Sequence, residues 1–234
     1  MVQEISDSPF LWLGQPVLGL LLDMDGTLAE TLAAHGEAWE IWTRRRGIGV
    51  SRQEYISRYF GRSNRDTMLA IFPELEGDPA AVEELAGERE EIFLEMVDRG
   101  LVHPTPGVAR LLERAEARGI PCAVASSAPR RNVARVLEAF GLAARLPVCV
   151  TMEDVERTKP DPDLFLEAAR RLGVAAESCV VFEDSRFGLE SGRRAGARTV
   201  AVLTLHTEDE LRGEADLCVA DFDALLDRPE WRNF

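Results

Sequence analysis

An uninterrupted apolar run over residues 17–22 ends in two carboxylates, Asp23 and Asp25, two positions apart. A short apolar run that stops at a turn signal is typical of a strand buried on both faces of a parallel sheet. Gly26 permits a sharp turn of the backbone, and Thr27 adds a hydroxyl beside the acids. The pattern predicts a central strand that delivers acidic side chains to one edge of a sheet.

Residues 31–99 follow a different pattern, in which apolar positions recur at helical spacing and no strand signal is present. Helices are predicted over residues 31–46, 52–60, 64–72 and 79–99. Trp39 and Trp42 belong to the apolar positions of the first helix, so we interpret them as core residues rather than as part of a ligand site. The segment is therefore predicted to be an all-helical module.

Strand and helix signals alternate after residues 101–107, a segment with two prolines and one glycine. Strands are predicted over residues 121–125, 148–150, 178–182, 199–203 and 217–219, and helices over residues 108–118, 130–140, 162–172 and 187–195. Repeated β-α units imply a parallel sheet covered by helices on both faces. We therefore predict an α/β fold, a Rossmann-like doubly wound parallel sheet with the helical module inserted after its first strand.

The predicted sheet core is discontinuous, because it combines residues 1–29 with residues 104–234, and the inserted module spans residues 30–103. Residues 1–15 show no clear pattern and are expected to form a poorly specified tail. The apolar stretch over residues 10–22 lacks preceding basic residues and is interrupted by Gln15 and Pro16, so it indicates neither a signal peptide nor a membrane span.

Composition and charge limit the kinds of molecule that the protein can bind. The formal net charge of −14 disfavours nucleic acid and anionic membranes, because polyanions are repelled over most of the surface. A small anionic substrate then requires a locally basic pocket. Four widely separated cysteines form no CxxC pair and are expected to be reduced, as in a cytoplasmic protein. We also expect a monomer.

Polar side chains follow four predicted strands at the edge where ligands bind in such sheets. Seven residues share this placement: Asp23, Asp25, Ser126, Ser127, Lys159, Glu183 and Asp184. Carboxylates clustered at strand ends repel one another unless a cation neutralises them, which indicates a hard divalent metal with oxygen ligands, most naturally Mg²⁺. A charged turn after a core strand is the alternative explanation for the Asp23 and Asp25 pair alone.

The chain contains 27 basic residues, and only Lys159 is a lysine. We interpret Lys159 as occupying a site where arginine could not function. The alternative is that a single lysine has been retained by chance. A compact ammonium is suited to neutralising a point charge, whereas a guanidinium is broad and planar.

The segments DMDGTL, ASSAPR, TKPDPD and FEDS, in this order and on these elements, resemble the motifs of the haloacid dehalogenase superfamily of phosphotransferases. More narrowly, the chain resembles the β-phosphoglucomutase-like branch, in which a helical cap follows the first motif. The resemblance implies that the inserted module is an all-helical cap domain, and it covers nearly the whole chain from residue 17.

The resemblance also implies roles for the residues at the sheet edge. Asp23 would be the nucleophile that forms an aspartyl-phosphate, and Asp25 the general acid and base. Ser126 and Lys159 match groups that hold the transferring phosphoryl oxygens. The expected Mg²⁺ ligands are Asp23, the main-chain carbonyl of Asp25, Glu183 and Asp184.

Candidate substrate contacts are Thr31, His35, Arg62, Asn64, Arg65 and Ser127. Thr31 and His35 lie one helical turn apart, and the resemblance gives His35 the task of positioning the acid/base aspartate. A satisfied surface histidine is the competing interpretation. Arg62, Asn64 and Arg65 occupy the region where caps of this branch select substrates, and a solvated helix start is the alternative there.

These features predict a Mg²⁺-dependent phosphatase that hydrolyses a small phosphorylated sugar or polyol. The alternative is a β-phosphoglucomutase-type phosphosugar mutase, which must also grip a distal phosphate. The mutase has a serine and a lysine where this chain has Ala128 and Pro129, and an arginine where it has Asn64, although Arg65 and Arg130 are near enough in sequence to compensate. A metal-free dehalogenase would not need Asp25 or the Glu183–Asp184 pair.

Overall fold

The computed structural model describes residues 9–59 and 64–234. It divides into two compact units, one formed by the described residues up to Glu30 together with Pro104–Phe234, and one formed by Thr31–His103. The first unit contains the sheet, and the described residues of the second form helices, apart from one residue of a short strand. The chain therefore leaves the sheet unit after its first sheet strand and returns to it near residue 104.

The sheet has six parallel strands in the order β10-β9-β8-β3-β6-β7. Their bounds are β3 Gly19–Leu22, β6 Cys122–Ala125, β7 Val148–Val150, β8 Cys179–Glu183, β9 Arg198–Val202 and β10 Leu217–Val219. Every residue of β3, β6, β8 and β9 is buried, as expected for parallel strands that are covered on both faces. The α/β prediction is confirmed.

Helices connect the strands of the sheet unit. Their bounds are α5 Val108–Ala117, α6 Arg130–Ala139, α7 Asp163–Leu172, α8 Arg186–Arg194 and α9 Phe222–Leu226. α5, α6 and α7 each bury a mainly apolar stripe, α8 buries a face of small residues with one leucine, and all four expose a charged face, as helices that cover a sheet do.

The helical unit consists of α1 Leu32–Arg45, α2 Arg52–Arg58, α3 Asn64–Ile71 and α4 Pro79–Asp98. Side chains of Ser51 and Asp78 cap α2 and α4 by accepting hydrogen bonds from main-chain amides three residues on. Trp39 and Trp42 are fully buried in this unit and meet edge to face, so their interpretation as core residues is confirmed.

The expectation of a poorly specified tail over residues 1–15 is wrong for the described part of that segment. β1 Leu11–Trp12 and β2 Gln15–Pro16 form a short antiparallel hairpin. The Arg198 guanidinium on β9 donates to the main-chain carbonyls of Trp12, Gln15 and Pro16, the last at 2.8 Å. A single arginine thus ties the hairpin to the sheet.

An aromatic cluster completes this attachment. Trp231 is fully buried, and its ring lies 5.1 Å from Phe10, 5.4 Å from Trp12 and 5.0 Å from Phe234. Burial of several aromatic rings in contact stabilises a structure through both apolar area and ring geometry. Residues from both ends of the described chain are therefore packed together.

Two shorter strands, β4 Ala29–Glu30 and β5 His103–Pro104, form a separate two-stranded sheet. The four cysteines are free thiols. None of the helices within residues 9–59 and 64–234 is long and apolar enough to cross a membrane.

Candidate active site

The carboxyl ends of three neighbouring strands bring the predicted polar residues together. β3 lies between β6 and β8, and its pairing with β8 continues one residue further, where the Asp23 amide donates to the Phe182 carbonyl at 3.0 Å. On the other side, the Ser126 amide donates to the Val150 carbonyl at 3.0 Å. The residues that follow each strand therefore meet at one edge of the sheet.

Lys159 connects two of these strand ends. Its ammonium donates to Asp23 Oδ1 and, at 2.7 Å, to Glu183 Oε1. The three side chains are 2–8% exposed, so the ion pairs are shielded from water. Buried charges persist when they are paired and hydrogen-bonded, as they are here. The sequence prediction that the solitary lysine joins the acids of the sheet edge agrees with this geometry.

Asp23, Glu183 and Asp184 together form a buried acidic group in which one oxygen of each lies within 4.8 Å of the others. Burial raises the pKa of Asp23 above its ordinary value, and the Lys159 ammonium offsets only part of that rise. Burial also raises the pKa of Asp184 well above its ordinary value, and the neighbouring charges of Glu183 and Asp23 raise it further.

A divalent cation fits this group. Asp184 Oδ2 is buried and has no hydrogen-bond partner among the described residues, so an acceptor remains free for a ligand. Three carboxylates with a single ammonium leave excess negative charge, which a bound cation would neutralise. Oxygen donors of this kind are those that Mg²⁺ prefers.

Glu183 differs from Asp184 because both of its oxygens already accept hydrogen bonds. Oε1 accepts from Lys159, and Oε2 accepts from the Ser185 amide at 2.8 Å and from the Ser185 hydroxyl at 2.9 Å. The same hydroxyl caps α8 by accepting from the Gly188 amide at 3.1 Å. The first turn of α8 therefore fixes the orientation of the Glu183 carboxylate.

Two glycines allow the acids to pack this closely. A Cβ at Gly26 would lie 1.9 Å from Asp184 Oδ2, and a Cβ at Gly188 would lie 1.8 Å from Glu183 Oε1. Gly26 also has a φ of +80°, in the left-handed region that glycine adopts without strain. Each acid of the Glu183–Asp184 pair thus requires a residue without a side chain beside it.

The loop that carries Asp25 is held by main-chain hydrogen bonds. The Gly26 amide donates to the Ala29 carbonyl at 2.8 Å, and the Ala29 amide donates to the Met24 carbonyl at 3.0 Å. The Thr204 hydroxyl, from the loop after β9, donates to the Gly26 carbonyl. Asp25 is partly exposed at this position, close in sequence to the buried Asp23.

The two serines after β6 differ in environment. Ser126 is buried, and its hydroxyl oxygen accepts from the Ala128 amide at 3.1 Å. Ser127 is half-buried. Further along, the guanidinium of Arg130 donates to Asp154 Oδ2 at 2.8 Å. This guanidinium is therefore already paired.

The candidate substrate residues of the helical unit lie in different environments. His35 is buried, stacks on Phe93 at 4.1 Å, and has its Nδ1 2.9 Å from Arg89 Nη1. Since a guanidinium has only donors, Nδ1 accepts this hydrogen bond and a neutral His35 carries its proton on Nε2. The alternative of a surface histidine is wrong, because the ring is buried.

Thr31 precedes α1 and is buried, without a capping hydrogen bond from its side chain. Arg62 lies outside the described residues. Asn64 is the first residue of α3, and Arg65 follows it in an exposed position.

Ser185, Gly188 and Thr204 support the site but were not predicted from the sequence. A signal for the first two is present, since a serine before a helix with a glycine three residues later allows the capping contact observed at α8. Thr204 has no such signal, because its partner Gly26 is 178 residues away.

A family model described as haloacid dehalogenase-like hydrolase matches residues 20–202. The chain belongs to this family. Protein CbbY from Rhodobacter capsulatus is 32% identical over 212 residues, which cover 88% of this chain and 93% of the relative. Hexitol phosphatase A from Escherichia coli (strain K12) is 34% identical over 185 residues, which cover 79% of this chain and 82% of the relative.

A β-phosphoglucomutase from Clostridium difficile has the same fold, with a TM-score of 0.76 and 21% identity over 92% of this chain and 95% of that chain. At this identity the likeness concerns the fold alone. Membership of the haloacid dehalogenase-like hydrolases confirms the predicted resemblance, and the relatives confirm the prediction of an enzyme that is a phosphatase or a phosphomutase.

Gly188→Ala is expected to lower the free energy of unfolding by about 1–3 kcal/mol, because the added methyl displaces the Glu183 carboxylate from Lys159 and Ser185. Gly87→Ala is the matched control, since Gly87 lies in α4 and a methyl added there would meet no atom within 4 Å. The control should gain roughly 0.5–1 kcal/mol. Urea denaturation of both variants tests this, and equal stability of the two would contradict the packing argument.

Proposed function

We propose that this protein is a Mg²⁺-dependent phosphatase that hydrolyses a small phosphorylated sugar or polyol through an aspartyl-phosphate on Asp23. The observation that carries the proposal is the contact of one ammonium, Lys159, with both Asp23 and Glu183 beside the unpaired oxygen of Asp184. A nucleophilic carboxylate, a fixed positive charge and a cation site within one group are what phosphoryl transfer requires.

In the first step, a carboxylate oxygen of Asp23 attacks phosphorus and the bond from phosphorus to the substrate oxygen breaks. Asp25 donates a proton to that leaving oxygen, so an alcohol departs and an acyl phosphate remains on Asp23. The two roles are those that the resemblance to the haloacid dehalogenase superfamily implies, and they are compatible with Asp23 being buried against Lys159 while Asp25 is partly exposed.

In the second step, Asp25 accepts a proton from water as the water oxygen attacks phosphorus. The bond from phosphorus to the Asp23 oxygen breaks, and inorganic phosphate leaves. Lys159 and the Ser126 hydroxyl lie at the same edge of the sheet and are assigned to the phosphoryl oxygens in both steps.

Mg²⁺, when bound, neutralises the repulsion between the nucleophile and the phosphoryl group. Asp23 and Asp184 are the side chains assigned to hold it, together with the main-chain carbonyl of Asp25. Glu183 lies close enough to the other two acids to bind the same cation, and its hydrogen bonds also orient Lys159.

The helical unit is proposed to act as a cap that excludes water from the site and selects the substrate. His35, held by Arg89 as an Nε2 donor, is assigned to orient Asp25. Thr31, Arg62, Asn64, Arg65 and Ser127 remain the candidates for substrate contact. Closure of caps of this kind sequesters phosphoryl transfer from solvent.

Two observations favour hydrolysis over isomerisation. Ala128 and Pro129 offer no side-chain donor for a distal phosphate, and the guanidinium of Arg130 is paired with Asp154. A mutase needs such donors, because a bisphosphorylated intermediate must be gripped at its far end while it turns over. Hexitol phosphatase A, at 34% identity, supports a phosphorylated polyol or sugar as substrate.

Asp23→Asn is expected to lower kcat by at least about 10⁴-fold, because an amide keeps the shape of the carboxylate but cannot attack phosphorus. Activity is measured as Mg²⁺-dependent release of phosphate from an aryl phosphate, with circular dichroism as the test of folding. Asp209→Asn, an exposed carboxylate paired with Arg212, is the control and should retain activity. Near-wild-type turnover by Asp23→Asn would remove the central claim.

Lys159→Arg is expected to lower kcat/KM by roughly 100-fold, although the charge is kept, because the broader planar guanidinium displaces the phosphoryl group. Arg212→Lys, a swap between the same residue types on the exposed surface, should have no effect. If Lys159→Arg keeps most of its kcat/KM, the single lysine is an accident of composition.

The choice between phosphatase and mutase is tested with β-glucose 1-phosphate, Mg²⁺ and a catalytic amount of the 1,6-bisphosphate. We expect phosphate release to exceed glucose 6-phosphate formation, which a coupled assay measures in the same reaction. A panel of hexitol and sugar phosphates then ranks the substrates by kcat/KM. Formation of glucose 6-phosphate that outpaces phosphate release would establish the mutase instead.

A further inference from the structure

The loop that carries Lys159 is anchored to α8 by a buried hydrogen bond. The hydroxyl of Ser191 donates to the main-chain carbonyl of Asp161, two residues after Lys159, at 2.7 Å. Ser191 is fully buried, so this hydroxyl has no water to replace the contact. The bond therefore fixes the backbone just beyond the lysine.

A second residue of the same helix, Arg194, holds two more acceptors of this loop. Its Nη1 donates to the Pro160 carbonyl at 3.0 Å, and its Nη2 donates to Asp161 Oδ1 at 2.9 Å. Both residues that follow Lys159 are thus bound to one face of α8. Charge-assisted bonds from a planar guanidinium restrict orientation as well as distance.

The opposite end of α8 fixes the carboxylate that Lys159 contacts. Ser185 caps the helix and donates to Glu183 Oε2 from its amide and its hydroxyl. One helix, α8, therefore positions both the loop that carries Lys159 and the Glu183 carboxylate that Lys159 contacts. A change in the length or tilt of α8 would alter the distance between them.

We infer that Ser191 and Arg194 are positioning residues that hold Lys159 against Asp23 and Glu183. This inference deepens the proposed function, since it assigns to α8 the placement of the charge that neutralises the phosphoryl group. Lysine has a long, flexible side chain, so its ammonium is localised only if the backbone that carries it is fixed. Displacement of a catalytic group by about 1 Å is enough to slow an enzyme by orders of magnitude.

The chain offers a matched control at the residue of α8 that precedes Arg194. Arg193 is exposed to a similar degree, 40% against 45%, and also binds a loop, but that loop is at residues 213–214. Arg193→Met removes a guanidinium, a carboxylate pair and carbonyl contacts without touching the Lys159 loop. We therefore expect it to cause a general loss of stability similar to that of Arg194→Met.

The solitary lysine supplies a readout that is independent of catalysis. Acetic anhydride modifies amines, and Lys159 is the only lysine in the sequence, so mass spectrometry of its peptide reports this site alone. In the folded wild-type chain, labelling should be slow because the lysine side chain is 7% exposed and bound to two carboxylates. We expect Ser191→Ala and Arg194→Met to label about tenfold faster, and Arg193→Met to stay within about twofold of wild type.

Kinetics with an aryl phosphate form the second arm. Ser191→Ala and Arg194→Met should lose about tenfold in kcat/KM, and Arg193→Met should lose less than about twofold.

Labelling of both test variants at the rate of Arg193→Met would overturn the inference, whatever the kinetics. Absence of Mg²⁺-dependent phosphatase activity in the wild type would overturn the proposed function, while the labelling rates would still decide the role of α8. If Ser191→Ala does not fold, Arg194→Met against Arg193→Met decides it.

Discussion

The contact of the Lys159 ammonium with Asp23 and Glu183 is the interaction on which the site depends. Three carboxylates at a buried sheet edge repel one another, and a single positive charge in contact with two of them reduces that repulsion. Removal of one partner of such a buried pair costs about 3–5 kcal/mol, because the other charge is left uncompensated. The hydrogen bonds of Ser185 at the start of α8 and the two glycines beside the acids preserve this arrangement.

The fold supplies the convergence because β3 lies between β6 and β8 in a parallel sheet. All three strands end at the same edge, so residues that are far apart in sequence become neighbours without any special loop. The loops then need only fix orientation, which they do with short hydrogen bonds to main-chain atoms. Asp23, Lys159 and Glu183 all belong to the sheet unit, so the charged group lies within one compact body.

The sequence was sufficient for the sheet, the helical unit and the group around Asp23, because continuous apolar strands and their polar ends are local signals. It was insufficient for the hairpin at residues 11–16, since the attachment depends on Arg198, far away in the chain. The same holds for the contact of Ser191 with Asp161 and of Thr204 with Gly26. Hydrogen bonds to main-chain carbonyls leave no residue pattern, so no periodicity could predict them.

The insertion of the helical unit after the first sheet strand also constrains the order of synthesis and folding. Residues 19–22 pair with residues 122–124 and 179–182, so the central strand has no partner until much of the chain has left the ribosome. Residues 31–103 form a compact unit from one continuous segment and are available to fold first. Until β8 emerges, β3 has at least one unpaired apolar edge, and such an edge can pair with another chain and aggregate.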